Sequence, residues 1–190
     1  MKKKFAIVYL SFKRINKVKF FFKQIQINSN YQNYSYYVFS DFGRNKKEIK
    51  SVSKVRKYLN SLKLNKKIFF EKKNIGTNKI FQKSLSIAFK KHRYVIIFEE
   101  DIIPNKFTLN YFDKCFKILD KNKNIGFITA HSLLSRDNYK NFNEIFLSKR
   151  SNLWSLGLSK KIYKKMIIED KKLFDKCLKE KNFLKKICKF

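Results

Sequence analysis

Three consecutive carboxylates, Glu99-Glu100-Asp101, stand inside the run Tyr94-Val-Ile-Ile-Phe-Glu-Glu-Asp-Ile-Ile-Pro104, in a chain with 14 Asp and Glu against 46 Lys and Arg. Adjacent carboxylates repel one another, and at the end of a buried apolar run they are unfavourable unless a cation or several hydrogen-bond donors neutralise them. A hard divalent ion does this well. Mg2+ or Mn2+ is commonly held by one or two carboxylates, with water and substrate phosphate oxygens filling the remaining positions. The alternative is a solvated acidic turn ahead of Pro104 that caps a helix beginning near Lys106. Spacing alone leaves both readings open. No Ser or Cys is set beside a base as a covalent nucleophile, and neither a P-loop nor a dinucleotide glycine motif is present. Cys115, Cys177 and Cys188 are odd in number and lack C-x-x-C spacing, which fits neither a disulfide framework nor a zinc site and predicts reduced, mostly buried thiols.

Apolar runs rich in β-branched and aromatic residues cover 5–10, 34–39, 68–70, 94–98 and 125–129. Between them, 16–27, 46–62, 80–91 and 107–119 carry apolar positions three or four apart. This alternation predicts βαβ units, hence an α/β fold with a mainly parallel sheet and helices on both faces. Ligands of such open sheets bind beyond the carboxyl ends of the strands, where the acidic triplet falls. After Thr129 come a polar stretch over 131–143, a short apolar piece at 145–147 and the segment Ser151-Asn-Leu-Trp-Ser-Leu-Gly157. A helix is expected from Ser159, as N-cap, toward Ile168, and a lysine-rich amphipathic helix over 171–190. The division is therefore a ligand-binding domain over 1–170 and a basic C-terminal helix over 171–190.

With 190 residues, 44% of them hydrophobic and 17% aromatic, the chain suits one folded domain and not a disordered one. The formal charge of +32 raises nucleic-acid binding as a function class. The lysines, however, are spread along the whole chain and accompany an excess of Asn, Ile, Phe and Tyr, residue types with A/T-rich codons, beside only 4 Gly and 1 Pro. Met1-Lys2-Lys3-Lys4 and the apolar residues after it superficially resemble a signal peptide, but the run is short, meets Lys13-Arg14 and lacks a small-residue cleavage site. No stretch approaches the roughly 20 apolar residues of a membrane span. The expected location is the cytoplasm. The C-terminal helix either covers the core or lies peripherally on the anionic inner face of the membrane.

Taken together, Asn74-Ile-Gly-Thr-Asn-Lys followed by a helix, the run from Tyr94 to Pro104 and the aromatic helix after it resemble the donor-binding half of GT-A glycosyltransferases. The likeness is to the N-acetylglucosaminyltransferase I type and bacterial polysaccharide sugar transferases, whose strand-end motif reads Glu-Asp-Asp or Glu-Glu-Asp. An N-x-G turn precedes the helix leading to that strand and a Trp segment follows it, places taken here by Asn74-Ile-Gly76 and Leu153-Trp-Ser-Leu-Gly157. The resemblance covers most of residues 5–168 and implies a Rossmann-like GT-A fold. The implied reaction is metal-assisted transfer of a sugar from a nucleoside-diphosphate donor, a UDP-sugar foremost, to a glycan or lipid-linked acceptor in surface polysaccharide synthesis.

The resemblance also implies roles. Asp101 is the direct Mn2+ or Mg2+ ligand, with Glu99 and Glu100 shaping the site or meeting the sugar. The turn Ser11-Phe-Lys-Arg14 and Asp41 face the nucleotide, as do Asn74 and Gly76. Surface-cation and turn roles are the alternatives for Arg14, Asp41, Asn74 and Gly76. Trp154 either stacks on a sugar or anchors its loop to the core, and His131 borders the acceptor pocket or is structural. A base for the acceptor hydroxyl is expected downstream of the Trp segment. Glu169, Asp170 and Asp175 are the acids there, with Asp170 the candidate; none sits in a matching motif, and the chain stops earlier than that group does. The rival functions are a catalytically inactive transferase-like scaffold and a basic nucleic-acid-binding module.

Overall fold

The computed structural model describes residues 5–122, 125–130 and 155–179, with side chains as far as residue 172. In chain order its elements are β1 (Phe5–Ser11), α1 (Ile15–Ile27), β2 (Ser35–Ser40), α2 (Lys46–Ser61), β3 (Lys66–Phe70), α3 (Thr77–Lys91), β4 (Tyr94–Glu99), α4 (Thr108–Lys121), β5 (Ile128–Thr129), β6 (Leu156–Ser159) and α5 (Lys160–Lys179). The strands form one sheet in the order β3-β2-β1-β4-β6-β5. The first four are parallel and β6 runs antiparallel to both β4 and β5. The expected α/β architecture is thus what the chain adopts, and the carboxyl ends of β1, β2, β3 and β4 share one edge.

Burial on both faces explains why these strands read as unbroken apolar runs. Along β1 the side chains alternate. Ile7 and Tyr9 join a core with Phe21 and Phe22 of α1, Val55 and Leu59 of α2 and Phe112 and Phe116 of α4. Ala6, Val8 and Leu10 face α3 and α5 through Leu85, Phe89, Ile162 and Tyr163. Aromatic packing is dense beneath the acidic strand, with Tyr9 stacked on Phe21 at 4.1 Å and Phe21 edge-on to Phe98 at 5.3 Å. A fully buried Phe contributes about 2–3 kcal/mol relative to exposure, so this aromatic packing seats β1 and β4 firmly beneath the triplet. Cys115 is a buried free thiol, as expected; the side chains of Cys177 and Cys188 lie outside the described residues.

The second half departs from the expected element list. Residues 156–159, read as the end of a loop, form β6, and the fifth strand shortens to 128–129. Gly157 makes room for this, since a Cβ there would meet the Phe112 ring at 2.8 Å. Ser159 does cap α5, its hydroxyl accepting the Ile162 amide at 3.3 Å. That helix then continues unbroken to residue 179, so the boundary placed between 170 and 171 falls inside it. No helix among the described residues is long and apolar enough to cross a membrane.

Candidate functional site

A cleft of about 400 Å³ opens at the carboxyl edge of the parallel strands. Its walls come from the end of β1 and the turn after it (Ser11, Phe12, Lys13, Arg14), from Asp41 and Arg44 after β2, from Asn74, Gly76 and Thr77 at the start of α3, and from Glu99 and Glu100. A smaller hollow of about 170 Å³ lies at the opposite edge, between Tyr37, Lys67 and His92, and no carboxylate lines it.

The acidic triplet divides into three distinct environments. Glu99 ends β4 and its carbonyl accepts the Ile102 amide at 3.1 Å, closing a turn that holds all three acids. Glu100 is 4% exposed and points back to β1. Its Oε1 accepts the amides of Phe12 at 2.8 Å and Arg14 at 2.9 Å, and its Oε2 accepts Arg14 Nε at 2.7 Å. A carboxylate so served is a clamp, tying the turn after β1 to the end of β4 and starting α1 at Arg14. Asp101 is 49% exposed and, among the described residues, meets only the outer end of the same arginine, Nη2 to Oδ2 at 3.3 Å. Asn28 fixes the exit of the segment. Wholly buried, it donates to the Asn105 carbonyl at 3.0 Å and accepts the Leu109 amide at 3.1 Å.

Glu99 is half-buried, and its carboxyl has no hydrogen-bond or ion-pair partner among the described residues. Burial first, and then the neighbouring Asp101 charge, push its carboxyl above the usual glutamate range. A carboxyl raised on folding lends stability while protonated, and that stability is lost as pH rises through the raised pKa. Glu99→Gln is therefore expected to raise the melting temperature by about 1–2 °C at neutral pH and to leave it unchanged at about pH 3.5. Thermal melts at the two pH values check this; an equal change at both would mean that the residue's charge is not what matters.

On the other wall, Asp41 organises the turn into α3. Its Oδ1 accepts the amides of Phe42 at 2.8 Å and Ile75 at 3.0 Å, and its Oδ2 accepts Gly76 at 3.0 Å. Asn74 completes the stitch, donating to the Phe42 carbonyl at 2.7 Å. Gly76 has φ of 80°, a left-handed conformation that favours glycine, while the space around it is open. The chain turns there into α3 with no side-chain cap and no acid in the first turn, so the first-turn amides are uncapped where Gly76 and Thr77 line the cleft. The Ser11 hydroxyl donates to the Phe39 carbonyl at 3.0 Å, so this residue shapes the cleft through its backbone.

Residues the sequence reading passed over complete the electrostatics. Glu48 accepts Lys13 Nζ at 2.8 Å and Arg44 Nη2 at 2.7 Å. Arg44 and Lys13 hold its carboxyl well below the usual range, and Glu48 in turn gathers two of the cleft's cations. The signal for it was the spacing Asn45-x-x-Glu48, a helix N-cap with an acid in the first turn, where Asn45 accepts the Glu48 amide at 3.0 Å. Arg56 lies between the Phe42 and Phe70 rings and donates to the carbonyls of Ser40, Asp41 and Glu71, joining the ends of β2 and β3. Nothing in the sequence distinguishes it from the other basic residues.

The structure thus brings Ser11, Arg14, Asp41, Asn74, Gly76, Glu99 and Glu100 into one cleft, with Asp101 at its rim against Arg14. It does not bring Asp170 there. That residue is exposed on α5, a helix that begins at the opposite edge, where Ser159 pairs with Tyr94. His131 and Trp154 lie outside the described residues.

Among solved structures, S. aureus TarS 1–349 matches 87% of this chain and 49% of its own, with a TM-score of 0.55 and 16% identity. Over the matched stretch the chain shares the mixed α/β fold of TarS, and it spans about half of that TarS chain. TarS 1–349 in complex with UDP-GlcNAc matches 63% of this chain and 32% of its own, at a TM-score of 0.46 and 20% identity. The mannosyltransferase PcManGT from Pyrobaculum calidifontis, in complex with GDP-Man and Mn2+, matches 66% and 34%, at 0.47 and 14%. No protein-family model matches the sequence, and no curated protein matches it.

Proposed function

We propose that this chain is the donor-binding part of a glycosyltransferase that moves a sugar from a nucleoside diphosphate, a UDP-sugar foremost, to a hydroxyl of a glycan or lipid-linked acceptor. One observation carries the reading. The cleft joins the uncapped start of α3 and three cations to Glu99 and Glu100, with Asp101 beside Arg14, a combination suited to a diphosphate bridged by a divalent ion.

Mn2+ or Mg2+ suits the donor set. Among the described residues no three or more His, Cys, Asp or Glu side chains gather into a ready-made cage. The Glu99 carboxyl, without a partner among the described residues, beside an exposed Asp101 offers one or two oxygen ligands and leaves the rest to phosphate and water. The metal would stabilise negative charge developing on the departing diphosphate. The chain's own residues hold the donor: the amides at the start of α3 and the side chains of Lys13, Arg14 and Arg44 meet phosphate charge in a preorganised setting, while Asp41 and Asn74 keep the Gly76 turn in place. Glu100 keeps the β1 turn against β4, so that cations and triplet face one another. Asp170 remains a candidate base by sequence order alone, and His131 and Trp154 remain candidates for the acceptor side. We place the protein in the cytoplasm, with the lysine-rich α5 available for peripheral contact with anionic lipid.

A thermal-shift screen of nucleotide sugars with and without Mn2+, followed by mass spectrometry of donor hydrolysis, tests this reading. A ligand that binds only the folded state at about 100 times its Kd stabilises by about 2.7 kcal/mol, so one donor class should raise the melting temperature clearly and more so with the metal. No shift with any donor would favour the inactive scaffold, and tight, salt-sensitive binding to DNA or RNA would favour the nucleic-acid module.

A further inference from the structure

We infer that Arg14 is an interlock between metal and donor: it occupies Asp101 in the free protein, and a divalent cation gains that carboxylate only when a diphosphate draws the guanidinium away. The inference rests on the reading of Asp101 as metal ligand.

The geometry that supports it is asymmetric. Arg14 is anchored at its inner end, where Nε donates to buried Glu100 at 2.7 Å and its own amide donates to the same carboxylate at 2.9 Å. Glu100 cannot follow a moving arginine, because its Oε1 also accepts the Phe12 amide at 2.8 Å. The outer end is loosely held, by the 3.3 Å contact to Asp101, with both side chains 49% exposed. Pivoting about the Glu100 bond would release Asp101 while leaving the clamp between β1 and β4 intact. Arg14 also lines the cleft alongside Lys13, Arg44 and the start of α3, so an arriving diphosphate meets it there. A diphosphate carries more negative charge than one carboxylate and accepts a guanidinium fork at least as well. Conversely, a divalent ion at Asp101 and a guanidinium on the same carboxylate repel one another. Metal and nucleotide therefore each favour the arrangement the other needs, and by linkage each strengthens the other's binding by the same factor.

The test is Mn2+ titration, by calorimetry or by loss of the free-ion paramagnetic signal, of wild type and Arg14→Lys, each with and without UDP. Lysine has one ammonium group and cannot bridge Glu100 and Asp101 as the fork does. Wild type is expected to bind Mn2+ weakly alone and about tenfold more tightly with UDP. The Lys variant is expected to bind Mn2+ alone more tightly than wild type, and UDP should add much less. Equal Mn2+ affinity of the two proteins without UDP, with UDP strengthening both alike, overturns the interlock and leaves the metal site standing. No Mn2+ binding by either protein, even with UDP, overturns the metal reading and the interlock with it. If Arg14→Lys fails to give a cooperative melt, Arg14→Gln, which also removes the second arm, is read by the same criteria.

Discussion

Replacing Asp101 with asparagine is expected to cut metal-assisted donor turnover about a hundredfold or more, because a cation stabilising charge on a leaving diphosphate supplies several kcal/mol in the transition state. The fold should be indifferent. Asp101 is half-exposed and its ion pair with Arg14, at 3.3 Å, belongs to a class worth about 0–1 kcal/mol. Asparagine keeps the size and one oxygen but loses the charge that would hold the metal. Donor hydrolysis followed by mass spectrometry over a Mn2+ series, beside a thermal melt, separates the two effects. Full turnover in a folded Asp101→Asn protein would remove the metal site.

Glu100→Ala is expected to do the reverse, lowering stability by about 2–4 kcal/mol, because it strands the amides of Phe12 and Arg14 and the Arg14 guanidinium together. The value falls short of that for a fully enclosed pair because Arg14 is half in water. Donor binding should fail with it, since the β1 turn would no longer be held against β4. Urea unfolding gives the first number and a UDP titration the second. A loss under about 1 kcal/mol would mean that the turn is held by the sheet and not by the carboxylate.

The contrast between these neighbours marks where sequence reasoning reaches its limit. That the triplet ends a buried parallel strand was legible from the apolar run before it and the helical periods on either side, because both faces of the sheet are covered. Which acid would clamp and which would stand open was not. Glu100 acts on residues 86 and 88 positions away, and only the pairing of β1 beside β4, with Leu10 opposite Glu99, brings them together. Asp41 was visible as an acid at a strand end, but its partners, the amides of residues 75 and 76, lie across a whole βα crossover. The strand β6 escaped notice because four residues including Gly157 carry too little periodicity to outweigh a loop reading. Its identity depends on Phe112 leaving no room for a side chain. Glu48 left a trace in its capping spacing, whereas Arg56, one of 46 basic residues, left none.

A diphosphate and a divalent ion are proposed to share the cleft between α3 and the triplet. A crystal structure of the protein with UDP and Mn2+, with anomalous scattering locating the manganese, tests this directly. The expected result is an anomalous peak beside Asp101, the diphosphate at the Gly76–Thr77 end of α3 and the Arg14 guanidinium turned toward phosphate. A diphosphate bound elsewhere, or a cleft without manganese and with Arg14 still on Asp101, would contradict it.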